Sequence, residues 1–399
     1  MSANRLPATE LIVVALAVAA AGCSHSSPAP RSSNAVKVTM SNNGGSNRCV
    51  LDTTTVPAGP VTFTVSNASA LGISHVELLK DQRVIGEKES VDPGEEPVSF
   101  TVSLDGGAYQ IYCPAAEIEY QTLTVTGRLP APATGPVAAT FARSAKDFAP
   151  YVVNEMGHLN EAVKALDAAV QSGNVDGAKA AYAQARPFYE RIQSSVNGYL
   201  LPGFTVGDNR GNLDYLIDMQ EATPVDPKVG WKGFHAIERD LWQAGAITAA
   251  TKALSTELVS NIGTLTTTVT TVQFRPEDVA NGAADLIEDV YNTKITGEEE
   301  AFSHLDFVDF AANVEGAQHA YSLLRSGLND IDSGLVQQID QQFQDVLAML
   351  EHYRDPTKLG GYRIYTADVR ERDTPKLTAV IQPLHQSLSA IAQKVVTAN

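Results

Sequence analysis

Apolar positions along this chain change their spacing once. Between Ala35 and Thr126 the sequence is rich in Val, Thr and Ser, and short runs alternate apolar with polar residues. These runs are Val36–Met40, Val61–Val65, Val76–Leu79, Val98–Val102, Tyr109–Tyr112 and Leu123–Val125. A period of two in runs this short predicts strands. Clusters of turn formers separate them: Asn42-Asn43-Gly44-Gly45, Pro57-Ala58-Gly59-Pro60, Asp92-Pro93-Gly94 and Asp105-Gly106-Gly107. Several short strands at such spacing predict a β-sandwich over residues 35–127. A Pro/Ala-rich linker follows at 128–137. From 138 to 399 the period lengthens to that of a helix. Phe141, Phe148, Tyr151, Val152, Met156, Leu159, Val163, Leu166 and Val170 form one apolar stripe at three-, four- and seven-residue steps. Further helices are expected at 175–199, 231–246, 249–272, 276–294, 306–327, 332–354 and 374–398, with Asn174 and Ser333 as caps. The fold class is therefore α+β multidomain, an N-terminal β-sandwich followed by an all-α bundle. One connection, 200–230, is long and irregular, and such segments often line sites.

The N-terminus adds a compartment to this picture. Residues 1–22 read as an export signal: Arg5 is followed by an unbroken apolar and small-residue run, Leu11 to Ala21, too short to span a bilayer. It ends in Ala20-Ala21-Gly22-Cys23, the pattern of a bacterial lipoprotein signal. Lipidation of Cys23 is expected, with an ordinary cleaved signal as the other reading. The polar stretch 23–34 then serves as a tether, and the expected location is the extracytoplasmic face of the cell membrane. A formal charge of −17 over 399 residues argues against a nucleic-acid partner and fits a soluble body or cationic ligands. With Cys23 assigned to lipid, Cys49 and Cys113 remain as one pair in an oxidising compartment.

Candidate chemistry concentrates in Gly233-Phe234-His235-Ala236-Ile237-Glu238. Residues i and i+3 share a helix face, so His235 and Glu238 can point into one volume. Imidazole nitrogen with carboxylate oxygen suits iron or zinc; a His-x-x-Glu pair alone reads more readily as a salt-bridged surface or partly buried pair. The flanks decide between them. Trp231 to Trp242 resembles the imelysin-like family, which includes iron-uptake lipoproteins of the EfeO type. Further segments resemble that family in the same order: Ala185-Arg186-Pro187-Phe188-Tyr189-Glu190-Arg191-Ile192-Gln193, Asn281 to Glu288, and Lys294-Ile295-Thr296-Gly297-Glu298-Glu299 running on through Asp309 to Ala317. The resemblance implies a metal centre that combines His235 and Glu238 with Glu190, and with Asp309 as a further candidate. Gln193 stands where the family has a second glutamate. Tyr189 and Arg191 are candidates to orient a carboxylate, and Glu288 and Asp289 read as a solvated face.

The N-terminal sandwich resembles a cupredoxin, a domain that EfeO-type proteins carry before the helical one. The matching pieces are Cys49, Ser74-His75-Val76-Glu77, and Asp105 to Cys113. A blue-copper site needs two His and a Cys with a weak axial ligand; here Pro114-Ala115-Ala116-Glu117 replaces the second histidine. Two readings stand. Cys49, His75 and Cys113, with Glu77 or Glu117, bind copper or iron, or else Cys49 and Cys113 form a disulfide. The resemblance further implies an iron permease of the membrane and a haem-dependent peroxidase as partners, with capture and oxidation of iron as the activity. An imelysin-like metallopeptidase is the alternative, although the His-Glu-x-x-His pattern of such enzymes is absent from the chain. A third reading is a surface protein whose ion pairs are merely internal.

Overall fold

The computed structural model describes residues 34–398, apart from 74, 82, 90, 132–133 and 222–224. The expected signal, the lipidation of Cys23 and all but the last residue of the tether lie outside them. The described residues begin with nine strands: β1 (Asn34–Asn43), β2 (Ser46–Leu51), β3 (Thr55–Pro57), β4 (Gly59–Asn67), β5 (Val76–Lys80), β6 (Arg83–Lys88), β7 (Val98–Leu104), β8 (Gly107–Tyr112) and β9 (Tyr120–Thr126). They form a four-stranded sheet in the order β2-β1-β4-β7 and a five-stranded sheet in the order β3-β9-β8-β5-β6. The pairs β1/β4 and β3/β9 are parallel; the others are antiparallel. Strand β4 shows why these residues extend: Val61, Phe63 and Val65 are buried while Thr62 and Thr64 are half-buried on the other face. Val38, Phe63 and Phe100 of one sheet share a core with Leu78, Ile111 and Leu123 of the other.

The expected strands are all present, each longer than its alternating run. Strands β2, β3 and β6 are additions. Strand β2 is an edge strand whose first half, Ser46-Asn47-Arg48, is polar, and β6 carries Gly86. A Cβ there would stand 2.6 Å from the Phe100 ring, so packing demands a residue that weakens the strand signal. Cys49 on β2 and Cys113 just after β8 are joined as a disulfide. This corrects the expectation of cysteine metal ligands. Metal ligation uses thiolates, and both sulfurs are consumed in the S–S bond.

Among the described residues, eleven α-helices follow: α1 (Pro136–Ser172), α2 (Val175–Glu190), α3 (Gln193–Val196), α4 (Leu213–Asp218), α5 (Gly233–Trp242), α6 (Ala249–Val269), α7 (Pro276–Asp289), α8 (Asp306–Ile331), α9 (Ser333–Tyr353), α10 (Ala367–Ser389) and α11 (Ile391–Thr397). The stripe from Phe141 to Val170 is the buried face of α1, except Tyr151, which is half-buried. Asn174 caps α2 through Gly177 N–H at 2.9 Å. The cap of α9 is Asp332, which accepts from Leu335 N–H at 3.0 Å, rather than Ser333. The helix expected over 175–199 breaks after Glu190, where α8 presses against the chain: a Cβ on Gly316 would lie 2.1 Å from Arg191 O. Helix α7 ends at Asp289 and continues as a π-turn, Val290–Lys294. The expected 374–398 helix starts earlier, at Ala367, and breaks at Ala390.

The sandwich docks on the bundle through buried polar contacts. Lys88, 2 % exposed, donates to Asp285 Oδ1 at 2.7 Å and Glu288 Oε2 at 2.5 Å. Asn281 Nδ2 donates to Thr101 O at 2.8 Å, and Arg275 Nη1 to Ser103 O. Glu288 is thus a buried ion-pair partner, not part of a solvated face. No described helix is long and apolar enough to cross a membrane.

Candidate metal centre

The centre forms where α2, α4, α5, α8 and the segment after the π-turn meet. The start of α5 sets its geometry. Gly233 has φ +80°, and a Cβ there would stand 2.1 Å from Ile217 O. Only glycine accepts both that backbone conformation and that approach. The contact brings α5 against the end of α4, so that His235 Nε2 faces Asp218 Oδ1 at 3.5 Å. The same nitrogen faces Glu299 Oε1 at 3.4 Å. One turn along α5, Glu238 Oε2 meets His235 Nδ1 at 3.1 Å. Glu238 Oε1 accepts the backbone N–H groups of Phe302 and Ser303 at 2.9 and 2.6 Å. Glu238 therefore fixes the ring, and Nε2, fully buried without a hydrogen-bond partner, is the nitrogen presented to Asp218 and Glu299.

Helix α2 contributes Arg186 and Glu190, one turn apart and both fully buried. The Arg186 guanidinium is the hub. It donates to Asp218 and Glu190, to Glu299 at 2.9 Å, and through Nε and Nη2 to Asp309 Oδ2 at 3.0 and 2.9 Å. Lys294, at the end of the π-turn, reaches Asp289 at 2.6 Å, Glu299 at 3.1 Å and Glu190 at 3.2 Å. Glu300 accepts from Tyr182 OH at 2.8 Å and from Ser303 Oγ. Asn313 on α8 donates to Glu190 Oε2 at 2.9 Å. Asp309 Oδ1 is buried without a partner.

Charge is out of balance here. Glu190, Asp218, Glu238, Glu299, Glu300 and Asp309 are buried together with Arg186, Lys294 and His235. Even with His235 protonated, carboxylates exceed cations by three. Ionised carboxylates in such surroundings are costly. Burial, only partly offset by Arg186 and Lys294, pushes Glu190 up to about 7. Burial and the neighbouring Glu238 push Glu300 up to about 8. Burial drives Asp309 well above the carboxylate range despite Arg186. Burial also acts on Glu299, but Lys294, His235 and Arg186 outweigh it and hold that group well below its usual value. Burial disfavours the His235 imidazolium, yet Asp218, Glu238 and Glu299 raise it well above its ordinary value. An added cation would supply the missing positive charge in place of retained protons.

The donors fit one. Three sets bring ligand atoms within 4.8 Å of one another: Asp218, His235 and Glu299; His235, Glu238 and Glu300; Glu190, Glu299 and Asp309. Carboxylate oxygens with one imidazole suit iron, zinc or manganese. Of the four helical-domain residues expected from the sequence, His235 and Glu238 share one set and Glu190 and Asp309 another, the two linked through Asp218, His235 and Glu299. Those missed are Asp218, Glu299, Glu300, Arg186 and Lys294. Arg186, Lys294 and Glu299 stand inside the segments that carried the resemblance, and Asp218 lies in the long irregular connection. Tyr189 OH donates to Asp214 at 3.3 Å and not to Glu190. Arg191 points outward to Glu315 and Glu155 at 2.9 and 3.3 Å. Gln193 lines the space between sandwich and bundle. The sandwich residues are not among these donor sets: His75 Nε2 pairs with Glu77 Oε1 at 3.5 Å. Glu117 sits at the surface, accepting from Ser46 Oγ at 3.2 Å.

Comparison with known proteins adds two findings. The imelysin family model matches residues 147–391. The chain is 32% identical over 351 residues to the iron uptake system component EfeO of Yersinia pseudotuberculosis, covering 88% of this chain and 89% of that protein. It is 31% identical over 352 residues to the protein of the same name from Escherichia coli K12, covering 88% and 90%.

Proposed function

This chain belongs to the imelysin family, and on that premise we propose that it is the iron-binding component of an iron uptake system. It captures the ion outside the cytoplasm and passes it to a membrane permease. One observation carries the reading: His235 Nε2 is aimed at Asp218 and Glu299 in a buried cluster short of positive charge. Glu299 also groups with Glu190 and Asp309, so a second, all-carboxylate donor set adjoins that position, while Glu238 holds the ring from its Nδ1 side. Iron here is cargo. The chain has no His-Glu-x-x-His pattern to pair two imidazole ligands with a base, so carriage fits the cluster better than peptide cleavage. The lipid anchor at Cys23, the permease and the haem-dependent peroxidase belong to this proposal through the relatives' role in an uptake system. Copper in the sandwich does not, because its expected thiolates are spent in the disulfide.

The test is ferrous iron binding under anaerobic conditions by the full soluble chain and by a His235→Ala/Glu238→Ala double variant. We expect the variant to lose at least about a hundredfold in affinity, the scale of removing a ligand and its orienting partner. Equal binding by both proteins would overturn the proposal.

A further inference from the structure

Between sandwich and bundle lies a cavity of about 590 Å³. The sandwich contributes Glu77 from β5, Glu87 from β6 and Glu89 just beyond it; the bundle contributes Asp214 from α4 and Asp289 from the end of α7. Its lining also includes Asp218 and Glu299, the two carboxylates that His235 Nε2 faces. Among the described residues that line it there is no lysine or arginine, and His75 is the single basic side chain. A recess walled by protein and lined by one sign of charge concentrates counter-ions.

Acidity alone would make this a solvated face. Glu77 makes it more. Its side chain is buried, 8 % exposed, and one oxygen meets His75 at 3.5 Å. The other, Oε2, is fully buried and has no hydrogen-bond partner in the protein. A buried carboxylate oxygen left unpaired is costly, and here its residue lines a space that a cation can enter. Glu89, by contrast, is exposed and stands at the side open to water.

We infer that this cavity is a second cation site, shared by the two lobes, which holds a hydrated divalent metal ion through Glu77, Glu87 and Asp214 and hands it to the buried His235 centre. Carboxylates spread around a roomy cavity select a hard ion that keeps part of its water. The buried centre, with its imidazole and its tighter donor sets, completes the stripping of that shell. Asp218 and Glu299 belong to both spaces, so an ion moves between them without meeting an apolar barrier. The inference rests on the reading of the His235 centre as the cargo site.

Manganese(II) alone, followed by electron paramagnetic resonance and by water-proton relaxation, tests it on the full soluble chain. The wild type should bind two ions, one with fast-exchanging water. A Glu77→Gln/Glu87→Gln/Asp214→Asn variant should bind one, without the water-rich signal, and load its buried centre at least about tenfold more slowly. Amides of the same shape keep the packing, and an unchanged circular dichroism spectrum and melting temperature certify the fold. The His235→Ala/Glu238→Ala protein should keep only the water-rich ion. Two ions and unaltered loading in the triple variant would overturn the second site. Retention of both ions by the His235→Ala/Glu238→Ala protein would instead overturn the cargo reading.

Discussion

Arg186 is the residue on which the centre turns. Its guanidinium is fully buried and neutralises carboxylates from three helices and the segment after the π-turn. Replacing it with methionine leaves Glu190, Asp218, Glu299 and Asp309 facing one another. Breaking a buried network from one side costs about 3–5 kcal/mol, so Arg186→Met should lower the urea midpoint by that equivalent, and added Fe²⁺ should recover part of it. The raised carboxyls make a second prediction. Glu190 and Glu300 bind protons in the folded chain up to about pH 7 and 8, whereas their unfolded counterparts release them near 4.3. The folded state therefore holds more protons in that window, and the stability these groups contribute is lost as pH rises through 7 and 8. Metal competes with the same protons. Calorimetry should show iron affinity rising from pH 6 to 8, with protons released on binding. At this scale the sequence was legible where a motif is local. His235 and Glu238 are three residues apart on one helix, and Glu190 and Asp309 followed from ordered neighbours. Asp218, Lys294 and Glu300 were not, because their roles depend on tertiary approach. Gln193 is not among the grouped donors and lines the space between the lobes.

At the scale of elements, the longest apolar stripes were read well, as the buried face of α1 shows. The losses came where packing overrides pattern. Strand β6 hides behind Gly86, and the π-turn at Val290–Lys294 continues an apparently uniform helix. That π-turn is functional geometry, because it delivers the Lys294 ammonium to Glu190 and Glu299. The start of α5 matters similarly. Gly233→Ala adds a methyl where only 2.1 Å separates it from Ile217 O, at φ +80°. The strained backbone should cost about 1–3 kcal/mol. More tellingly, His235 should move away from Asp218. We expect iron affinity to fall at least about tenfold while the far-ultraviolet circular dichroism spectrum stays unchanged, since a small displacement of a positioned group carries that penalty.

For the molecule as a whole, Lys88 joins two lobes that the sequence presented as separate beads on a proline-rich linker. Nothing in Arg83–Lys88 announces a partner nearly two hundred positions away, since a lone lysine ordinarily reads as surface. Burial of its ammonium against Asp285 and Glu288 means that Lys88→Met strands two carboxylates at the interface. We expect a loss of about 3–5 kcal/mol in docking, visible as thermal unfolding split into two transitions and as faster protease cleavage between residues 127 and 136. The same junction shapes the cavity, so a loosened protein should also load more slowly. The hub residues have a last consequence, for the traffic of such a carrier. A metal-free cluster of bare buried carboxylates would repel itself apart. Arg186 and Lys294 are resident ballast. They hold the carboxylates in place whether or not an ion is bound, so loss of metal need not be followed by local unfolding.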